Sequence, residues 1–277
     1  MNGLITPVAL AALLQGDSDV VVLDVRWSLG GPPGHETYLT GHVPGAVYVD
    51  LDTELASHGE PADGRHPLPF LADLQASARR WGVRTGSTVV AYDGQGDLAA
   101  ARAWWLLRWA GVTDVRLLDG ALPAWRAAGL PLATDDVVPE AGDVALVGGA
   151  LPVLDLDDVE TVARTGTLLD ARAGERFRGE VEPVDPRAGH VPGAVSAPTT
   201  ENLADDGTFR SPDELRERFA ALGVGDDEPT AVYCGSGVTA AHQVFALELA
   251  GVEAALYPGS WSQWSNLDKP VATGPSR

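Results

Sequence analysis

Short apolar runs alternate with longer amphipathic segments along the whole chain. The runs have the length of buried strands, and the segments between them repeat apolar residues every three or four positions, as helices do. The pattern predicts strands at Val20–Val25, Thr88–Tyr92, Val115–Leu118, Thr167–Asp170, Thr230–Tyr233 and Ala255–Tyr257. It predicts helices at Pro7–Gln15, Leu71–Trp81, Leu98–Trp109, Pro123–Ala128, Leu156–Arg164, Pro212–Ala221 and Thr239–Ala250. This alternation predicts the α/β class, with mainly parallel sheets that carry helices on both faces.

The chain contains two copies of one pattern. Gly41-His-Val-Pro-Gly-Ala-Val47 returns unchanged as Gly189–Val195, 148 residues later, and Leu23-Asp-Val-Arg26 returns as Leu169-Asp-Ala-Arg172. A period of this length is too long for a solenoid unit and corresponds to a whole domain. We therefore predict domains at residues 1–136 and 153–277, joined by a linker at 137–152 that is rich in turn-forming residues.

The two copies differ in a glycine-rich loop. The first copy has Asp93 in Tyr92-Asp-Gly-Gln-Gly96, whereas the second has Cys234 in Tyr233-Cys-Gly-Ser-Gly237. The thiol lies between a strand end and a helix start, where backbone N–H groups favour an anion and hence the nucleophilic thiolate. A lone cysteine is more commonly a small buried apolar residue. The glycines and the strand–loop–helix setting favour a sulfur nucleophile here.

The repeat also separates structural residues from functional candidates. His42 and His190 occupy equivalent places in the repeated motif, so we interpret both as residues that hold a loop in place. Only the second copy carries Arg176, Arg178 and Arg187 in the segment before its Gly-His-Val-Pro-Gly motif. A guanidinium suits a carboxylate or a sulfonate-like group. The alternative for each arginine is a solvated ion pair with a nearby glutamate.

Composition and charge limit the possible partners. The balance of 45% hydrophobic and 21% charged residues is that of a globular protein, and no apolar run reaches the roughly 18 residues of a transmembrane helix. A net charge of −20 opposes nucleic acid and anionic membrane surfaces, although it also serves solubility. The single cysteine rules out an intrachain disulfide and fits a cytoplasmic protein. The histidines and the cysteine lack metal-ligand spacing, so no metal is expected.

These motifs resemble those of the tandem-domain rhodanese sulfurtransferases over nearly the whole chain. The repeated Asp-x-Arg, the repeated Gly-His-x-Pro-Gly-Ala and the position of the cysteine loop carry the resemblance. It implies two rhodanese-like domains, of which only the second has the reactive cysteine, Cys234. The first domain is then a degenerate structural partner, in which Asp93 replaces the cysteine.

Within that family, the loop is similar to the 3-mercaptopyruvate type. The thiosulfate type usually has bulky and basic residues after the cysteine, where this chain has glycine and serine. The resemblance implies a relay of Ser236, His66 and Asp52, with the last two supplied by the first domain to a cleft between the domains. It assigns the substrate carboxylate to Arg176, and the anion-binding loop to Gly235, Gly237, Val238 and Thr239.

One position departs from that class. The class usually has a second arginine nine residues after the first, where this chain has Asp185. Either Arg187 reaches the site in its place, or the second arginine is missing; Arg178 is a further candidate.

The resemblance implies a double displacement without a cofactor. Cys234 takes the sulfane sulfur of 3-mercaptopyruvate and releases pyruvate, and the persulfide then passes sulfur to thioredoxin, a small thiol or cyanide. Thiosulfate stays open as the donor, with cyanide as the acceptor. Two other classes share such a loop. A cysteine phosphatase normally needs an arginine six residues after the cysteine, where this chain has Ala240. A persulfide carrier or redox-signalling module would use the loop without turning over a small donor.

Overall fold

The computed structural model describes residues 3–225 and 228–275, which form two compact units. The first unit contains the chain up to Ser57, then Pro69–Leu151 and Ala204–Phe209. The second contains His58–Leu68, Pro152–Leu203 and the chain from Arg210 onward. Each unit therefore includes a short segment from the other half of the sequence. The predicted domain bounds did not foresee these two segments and otherwise stay a prediction.

The first unit is built on a parallel sheet with flanking helices. Its strands are β1 (Leu4–Ile5), β2 (Val20–Asp24), β3 (Val47–Tyr48), β4 (Thr88–Tyr92) and β5 (Val115–Leu118). Among the described residues they pair in the order β1-β5-β4-β2-β3, and every pairing is parallel. Its helices are α1 (Pro7–Leu14), α2 (Gly34–Tyr38), α3 (Leu51–Glu54), α4 (Leu71–Arg80), α5 (Ala100–Trp109) and α6 (Ala121–Ala127).

The second unit repeats this plan with a smaller sheet. Its strands are β6 (Thr167–Asp170), β7 (Val195–Ser196), β8 (Thr230–Tyr233) and β9 (Ala255–Leu256). In the described part of the chain they pair in parallel, in the order β7-β6-β8-β9. Its helices are α7 (Val159–Thr165), α8 (Gly174–Phe177), α9 (Pro212–Ala221), α10 (Val238–Leu249) and α11 (Ser260–Trp264). No helix within residues 3–225 and 228–275 is both long and apolar enough to cross a bilayer.

The predicted α/β class is confirmed, and each predicted strand and helix has a counterpart. The pattern missed the two-residue strands β1, β3 and β7 and the four- or five-residue helices α2, α3, α8 and α11. Elements this short complete barely one turn or one alternation, so they leave no periodic signal. Three helix starts were misplaced: α5 begins at Ala100 rather than Leu98, α6 at Ala121 rather than Pro123, and α7 at Val159 rather than Leu156.

The repeated histidines are buried and hold the backbone in both copies. His42 Nδ1 lies 3.1 Å from the Tyr38 carbonyl oxygen, and His190 Nδ1 lies 2.8 Å from that of Phe177. Each imidazole also stacks on the ring of the same partner, with centroids 3.9 and 3.7 Å apart. Equivalent contacts in a copy that lacks the cysteine are structural, as the repeat predicted.

The repeated Asp-x-Arg motif forms a buried ion pair in each unit. Arg26 Nη2 lies 2.8 Å from Asp24 Oδ2, and Arg172 Nη2 lies 2.6 Å from Asp170 Oδ2. The same Nη2 atoms donate to the carbonyl oxygens of Gly41 and Gly189, each at 2.7 Å. The motif thus joins the end of a strand to the repeated Gly-His-Val-Pro-Gly loop, which satisfies the charges of both buried partners.

Candidate active site

Cys234 lies at the carboxyl end of β8, in the loop that leads into α10. Its side chain is buried, and the Gly237 N–H donates a hydrogen bond to Sγ at 3.1 Å. Gly237 has φ of 79°, and a Cβ there would lie 2.5 Å from the Pro258 carbonyl oxygen. Only glycine fits both the left-handed backbone and this close approach. Val238 and Thr239 follow as the first residues of α10.

The segment around α11 fixes this loop from one side. The Cys234 N–H donates to Ser260 Oγ at 3.1 Å, while the Trp261 and Ser262 N–H groups donate to the carbonyl oxygens of Cys234 (2.9 Å) and Gly235 (2.8 Å). Sequence analysis missed these serines. Ser260 has φ of 53°, and its counterpart in the first copy, Ala121, has φ of 55°. This backbone conformation therefore does not depend on the Ser260 hydroxyl. The hydroxyl accepts the hydrogen bond from the Cys234 N–H instead.

Segment His58–Leu68 is anchored on α11 and brings His66 to the loop. The Arg65 N–H donates to Ser262 Oγ at 3.0 Å, and Gln263 Nε2 donates to the Ala62 carbonyl oxygen at 3.0 Å. His66 Nδ1 then lies 2.7 Å from Ser236 Oγ, and both side chains are buried. Two members of the predicted relay thus meet beside the cysteine.

Asp52, the third predicted member, belongs to the first unit. Its carboxylate accepts hydrogen bonds from Trp27 Nε1 at 3.0 and 3.1 Å. Its predicted role in the relay stays a prediction.

Two guanidinium groups border the loop at Gly235. A Cβ on this glycine would lie 3.1 Å from Arg65 Nη2 and 3.5 Å from Arg176 Nη1. The absence of a side chain at Gly235 therefore leaves room for both cations. Arg176 was predicted from the sequence and Arg65 was not, because the difference between the two copies singles out only arginines of the second copy. The position of Arg65 next to His66 is the signal that could have revealed it.

Both arginines form ion pairs with carboxylates of the same unit. Asp185 accepts from Arg65 Nη1 through Oδ1 and lies 3.3 Å from Arg176 Nη2 through Oδ2. Glu182 Oε1 lies 2.7 Å from Arg176 Nη2, and its Oε2 lies 3.4 Å from Arg172 Nη1. Burial raises the pKa of Asp185, which the charges of Arg65 and Arg176 act to lower. An arriving anion would meet cations that already have internal partners.

The other two candidate arginines bind elsewhere. Arg178 forms a two-pronged pair with Glu180, at 2.7 and 2.8 Å, on the surface. Arg187 donates to backbone carbonyl oxygens between Trp264 and Lys269 and so ties down the segment after α11. The predicted contact of Arg187 with substrate stays a prediction that these bonds do not favour.

The equivalent loop of the first unit shows what such a loop does with an anion. The Asp93 carboxylate accepts N–H groups of Gln95 and Asp97 through Oδ1, at 2.7 and 3.0 Å, and of Ala99 and Ala100 through Oδ2, at 2.8 and 3.3 Å. Burial raises the pKa of Asp93 to about 6, so the group is ionised at neutral pH. An internal carboxylate thus fills the anion position of this loop.

The described residues, 3–225 and 228–275, contain no group of three or more His, Cys, Asp or Glu side chains arranged to hold a metal ion. The polar side chains at the cysteine loop are the Cys234 thiol, the Ser236 hydroxyl, the His66 imidazole and the guanidiniums of Arg65 and Arg176. Such a set suits nucleophilic displacement on an anionic substrate.

Comparison with known proteins agrees with this chemistry. The model of the rhodanese-like domain matches residues 6–128 and again 155–267. The "Putative thiosulfate sulfurtransferase SseB" of Mycobacterium tuberculosis is 48% identical over 275 residues, covering 98% of this chain and 97% of that protein. The "Probable 3-mercaptopyruvate sulfurtransferase" of Pseudomonas aeruginosa is also 48% identical, over 280 residues and 98% of both chains.

Solved structures show the same architecture. The crystal structure of the 3-mercaptopyruvate sulfurtransferase SseA from Escherichia coli superposes with a TM-score of 0.84 at 33% identity, covering 94% of this chain and 99% of that one. The enzyme from Leishmania major, also named a 3-mercaptopyruvate sulfurtransferase, gives a TM-score of 0.85 at 28% identity, over 97% of this chain and 75% of that one. The two relatives at 48% identity are named after different sulfur donors, thiosulfate in one case and 3-mercaptopyruvate in the other.

Proposed function

This chain belongs to the rhodanese family of sulfurtransferases, and from that premise we propose that its donor is 3-mercaptopyruvate rather than thiosulfate. The observation that carries the proposal is the 2.7 Å hydrogen bond between His66 Nδ1 and Ser236 Oγ, two residues after Cys234. Sulfur abstraction from thiosulfate needs no proton transfer to carbon. Loss of the pyruvate fragment from 3-mercaptopyruvate requires a proton to be transferred to carbon. An imidazole paired with a hydroxyl can supply that proton.

The proposed reaction is a double displacement. The Cys234 thiolate attacks the donor sulfur, an S–S bond forms, and the C–S bond breaks with its electron pair left on the pyruvate enolate. Protonation of the enolate carbon gives pyruvate. A thiol or cyanide then attacks the outer sulfur of the persulfide, which regenerates the thiolate and gives a new persulfide or thiocyanate. The Gly237 N–H beside Sγ supports the thiolate in both half-reactions.

We propose that Arg176 and Arg65 hold the carboxylate of the donor. Both guanidiniums border the loop at Gly235, and Arg65 Nε is buried with no hydrogen-bond partner among the described residues. A buried donor without a partner is costly, and a bound carboxylate would satisfy it. In this proposal Arg65 takes the place that Arg187 was a candidate for, and the relay role of Asp52 stays a prediction.

Thiosulfate is the second candidate donor. Two guanidiniums beside the loop suit a sulfur oxyanion as well as a carboxylate. The Mycobacterium tuberculosis relative carries the thiosulfate name at the same identity as the mercaptopyruvate relative. A persulfide carrier would keep the loop and use neither small donor.

The deciding experiment compares kcat/KM for 3-mercaptopyruvate and thiosulfate, with cyanide as acceptor and thiocyanate as the common product. We expect a preference of at least about tenfold for 3-mercaptopyruvate, which corresponds to about 1.4 kcal/mol of transition-state binding. A preference for thiosulfate would reassign the donor. Turnover of neither donor would favour the carrier.

A Cys234→Ser variant provides the control for covalent catalysis. It should lose thiocyanate formation with both donors and keep the circular dichroism spectrum of the wild type, because a hydroxyl fits the thiol's place but cannot form a persulfide. Substantial turnover by this variant would contradict the persulfide mechanism.

A further inference from the structure

Asp185 stands between the two guanidiniums that border the cysteine loop. Its Oδ1 accepts from Arg65 Nη1, and its Oδ2 lies 3.3 Å from Arg176 Nη2. Its side chain is only 2% exposed, so water screens this charge weakly. The carboxylate therefore lies where it acts on any anion that the same two arginines bind.

The charges around Asp185 balance. The arginines of this cluster are Arg65, Arg172 and Arg176, and its carboxylates are Asp170, Glu182 and Asp185. Each positive charge has a negative partner within the cluster, so these six side chains carry no net charge in the resting site. Removing the charge of Asp185 would leave one positive charge in excess beside Gly235.

We propose that Asp185 determines donor selectivity by charge, disfavouring dianionic donors relative to monoanionic ones. The inference rests on the proposed sulfurtransferase site and deepens it. Thiosulfate carries two negative charges and 3-mercaptopyruvate carries one on its carboxylate. Because electrostatic energy is proportional to ligand charge, repulsion from Asp185 acts twice as strongly on the dianion.

This dependence on charge distinguishes selectivity from a structural role. If Asp185 only held Arg65 and Arg176 in place, its replacement would lower kcat/KM by the same factor for both donors. If Asp185 acts through its charge, replacement by its neutral isostere asparagine should raise kcat/KM for both donors. The logarithm of this increase should be twice as large for the dianion.

The test uses Asp185→Asn in the full-length protein, with kcat/KM for both donors at pH 8 and constant ionic strength. We expect an increase of about fivefold for 3-mercaptopyruvate and about twenty-five-fold for thiosulfate. Glu180→Gln removes one charge from the surface pair with Arg178 and should leave the ratio of the donors unchanged. Asp185→Glu keeps the charge and should also keep the ratio.

Equal changes for both donors, or a loss for both, would overturn the inference. A binding measurement separates this result from failure of the proposed function. Tryptophan fluorescence titrated with sodium sulfate and sodium pyruvate reports affinity for a dianion and a monoanion without turnover. In Asp185→Asn, sulfate should gain about twenty-five-fold and pyruvate about fivefold in affinity, even if neither donor is turned over. A similar gain for both anions would refute the charge mechanism.

Discussion

His66 and Ser236 are 170 residues apart in sequence, yet their side chains share a 2.7 Å hydrogen bond. Both side chains are buried; Ser236 belongs to the cysteine loop, and His66 lies on segment His58–Leu68, which α11 holds in place. A hydroxyl and an imidazole in contact can move a proton, which neither group does well alone at an exposed site. At the scale of single residues, this pair is the basis for proposing 3-mercaptopyruvate rather than thiosulfate as the donor.

A His66→Gln variant tests that distinction. Without the imidazole, protonation of the enolate should slow, and we expect kcat with 3-mercaptopyruvate to fall about a hundredfold. Persulfide formation from thiosulfate needs no such proton, so its kcat/KM should change by less than about threefold.

His58→Gln is the matched control for this variant. His58 lies in the same segment but is exposed, so its replacement should alter neither donor. Equal losses for both donors in His66→Gln would show that His66 has a structural role only.

At the scale of elements, the cysteine loop depends on two short pieces of structure. Gly237 closes the loop with a left-handed backbone, and α11 supplies backbone hydrogen bonds to Cys234 and Gly235. A loop held by backbone contacts keeps Cys234 Sγ and the Gly237 N–H at a fixed distance, so the loop is preorganised before substrate binds. Changes in backbone conformation should therefore affect catalysis more than changes in distant side chains.

Gly237→Ala should reduce kcat/KM by at least about tenfold, because the new Cβ would lie 2.5 Å from the Pro258 carbonyl oxygen and force the loop to shift. It should also destabilise the protein by about 1–2 kcal/mol, the cost of a left-handed backbone with a side chain. Steady-state kinetics and urea unfolding measure the two effects.

Gly251→Ala separates strain from displacement. Gly251 has φ of 82° and nothing within 4 Å of a Cβ, so only the backbone strain remains. We expect a similar loss of stability and kcat/KM within about twofold of wild type, since the loop does not move. A loss of activity equal to that of Gly237→Ala would mean that global stability, not loop position, limits the reaction.

At the scale of the whole molecule, the two copies use one loop in two ways. The second unit places a thiol there, and the first fills it with the Asp93 carboxylate. The first unit also buries Asp97, whose carboxylate oxygens have no hydrogen-bond partner among the described residues. Burial, together with the charges of Asp93 and Asp119, raises the pKa of Asp97 well above its usual value. The first unit therefore buries two neighbouring carboxyl groups whose ionisation is disfavoured in the folded state.

These shifts determine how stability depends on pH. A carboxyl group whose pKa is raised by folding binds more protons in the folded state, so its contribution falls as pH rises from the unfolded value toward the folded one. For Asp93 this window runs from 3.8 to about 6, and for Asp97 it extends to higher pH. Wild-type stability should therefore decline between pH 5 and pH 8.

Asp97→Asn should raise the Tm by about 4 °C at pH 8, and by much less at pH 5, because the neutral amide avoids ionisation of a buried group. Asparagine tolerates the φ of 59° at this position. Asp206→Asn is the control: the pKa of Asp206 is lowered by its hydrogen bonds to Thr208, so this change should not stabilise the protein at pH 8. A Tm increase in Asp97→Asn that is independent of pH would contradict the ionisation argument.

The longer elements and the strand–loop–helix setting of Cys234 were predictable from sequence, whereas the short elements and the charge network were not. Strands such as β4 and β8 are short apolar runs, so local composition is enough to predict them as strands. Helices α8 and α11 have only four and five residues, yet they carry Arg176 and the serines that hold the loop. Their conformation is set by tertiary contacts, which a periodic pattern does not record.

The sequence by itself determined the duplication, the α/β class and the position of Cys234, because repeats, apolar runs and a glycine-rich loop are local features of the chain. Only the tertiary structure decided which charges meet. It placed segment His58–Leu68 in the second unit, and so brought Arg65 to Asp185 and His66 to Ser236. It also directed Arg187 to backbone carbonyl oxygens. The partner of a long charged side chain depends on which segments pack together, and sequence spacing does not contain that information.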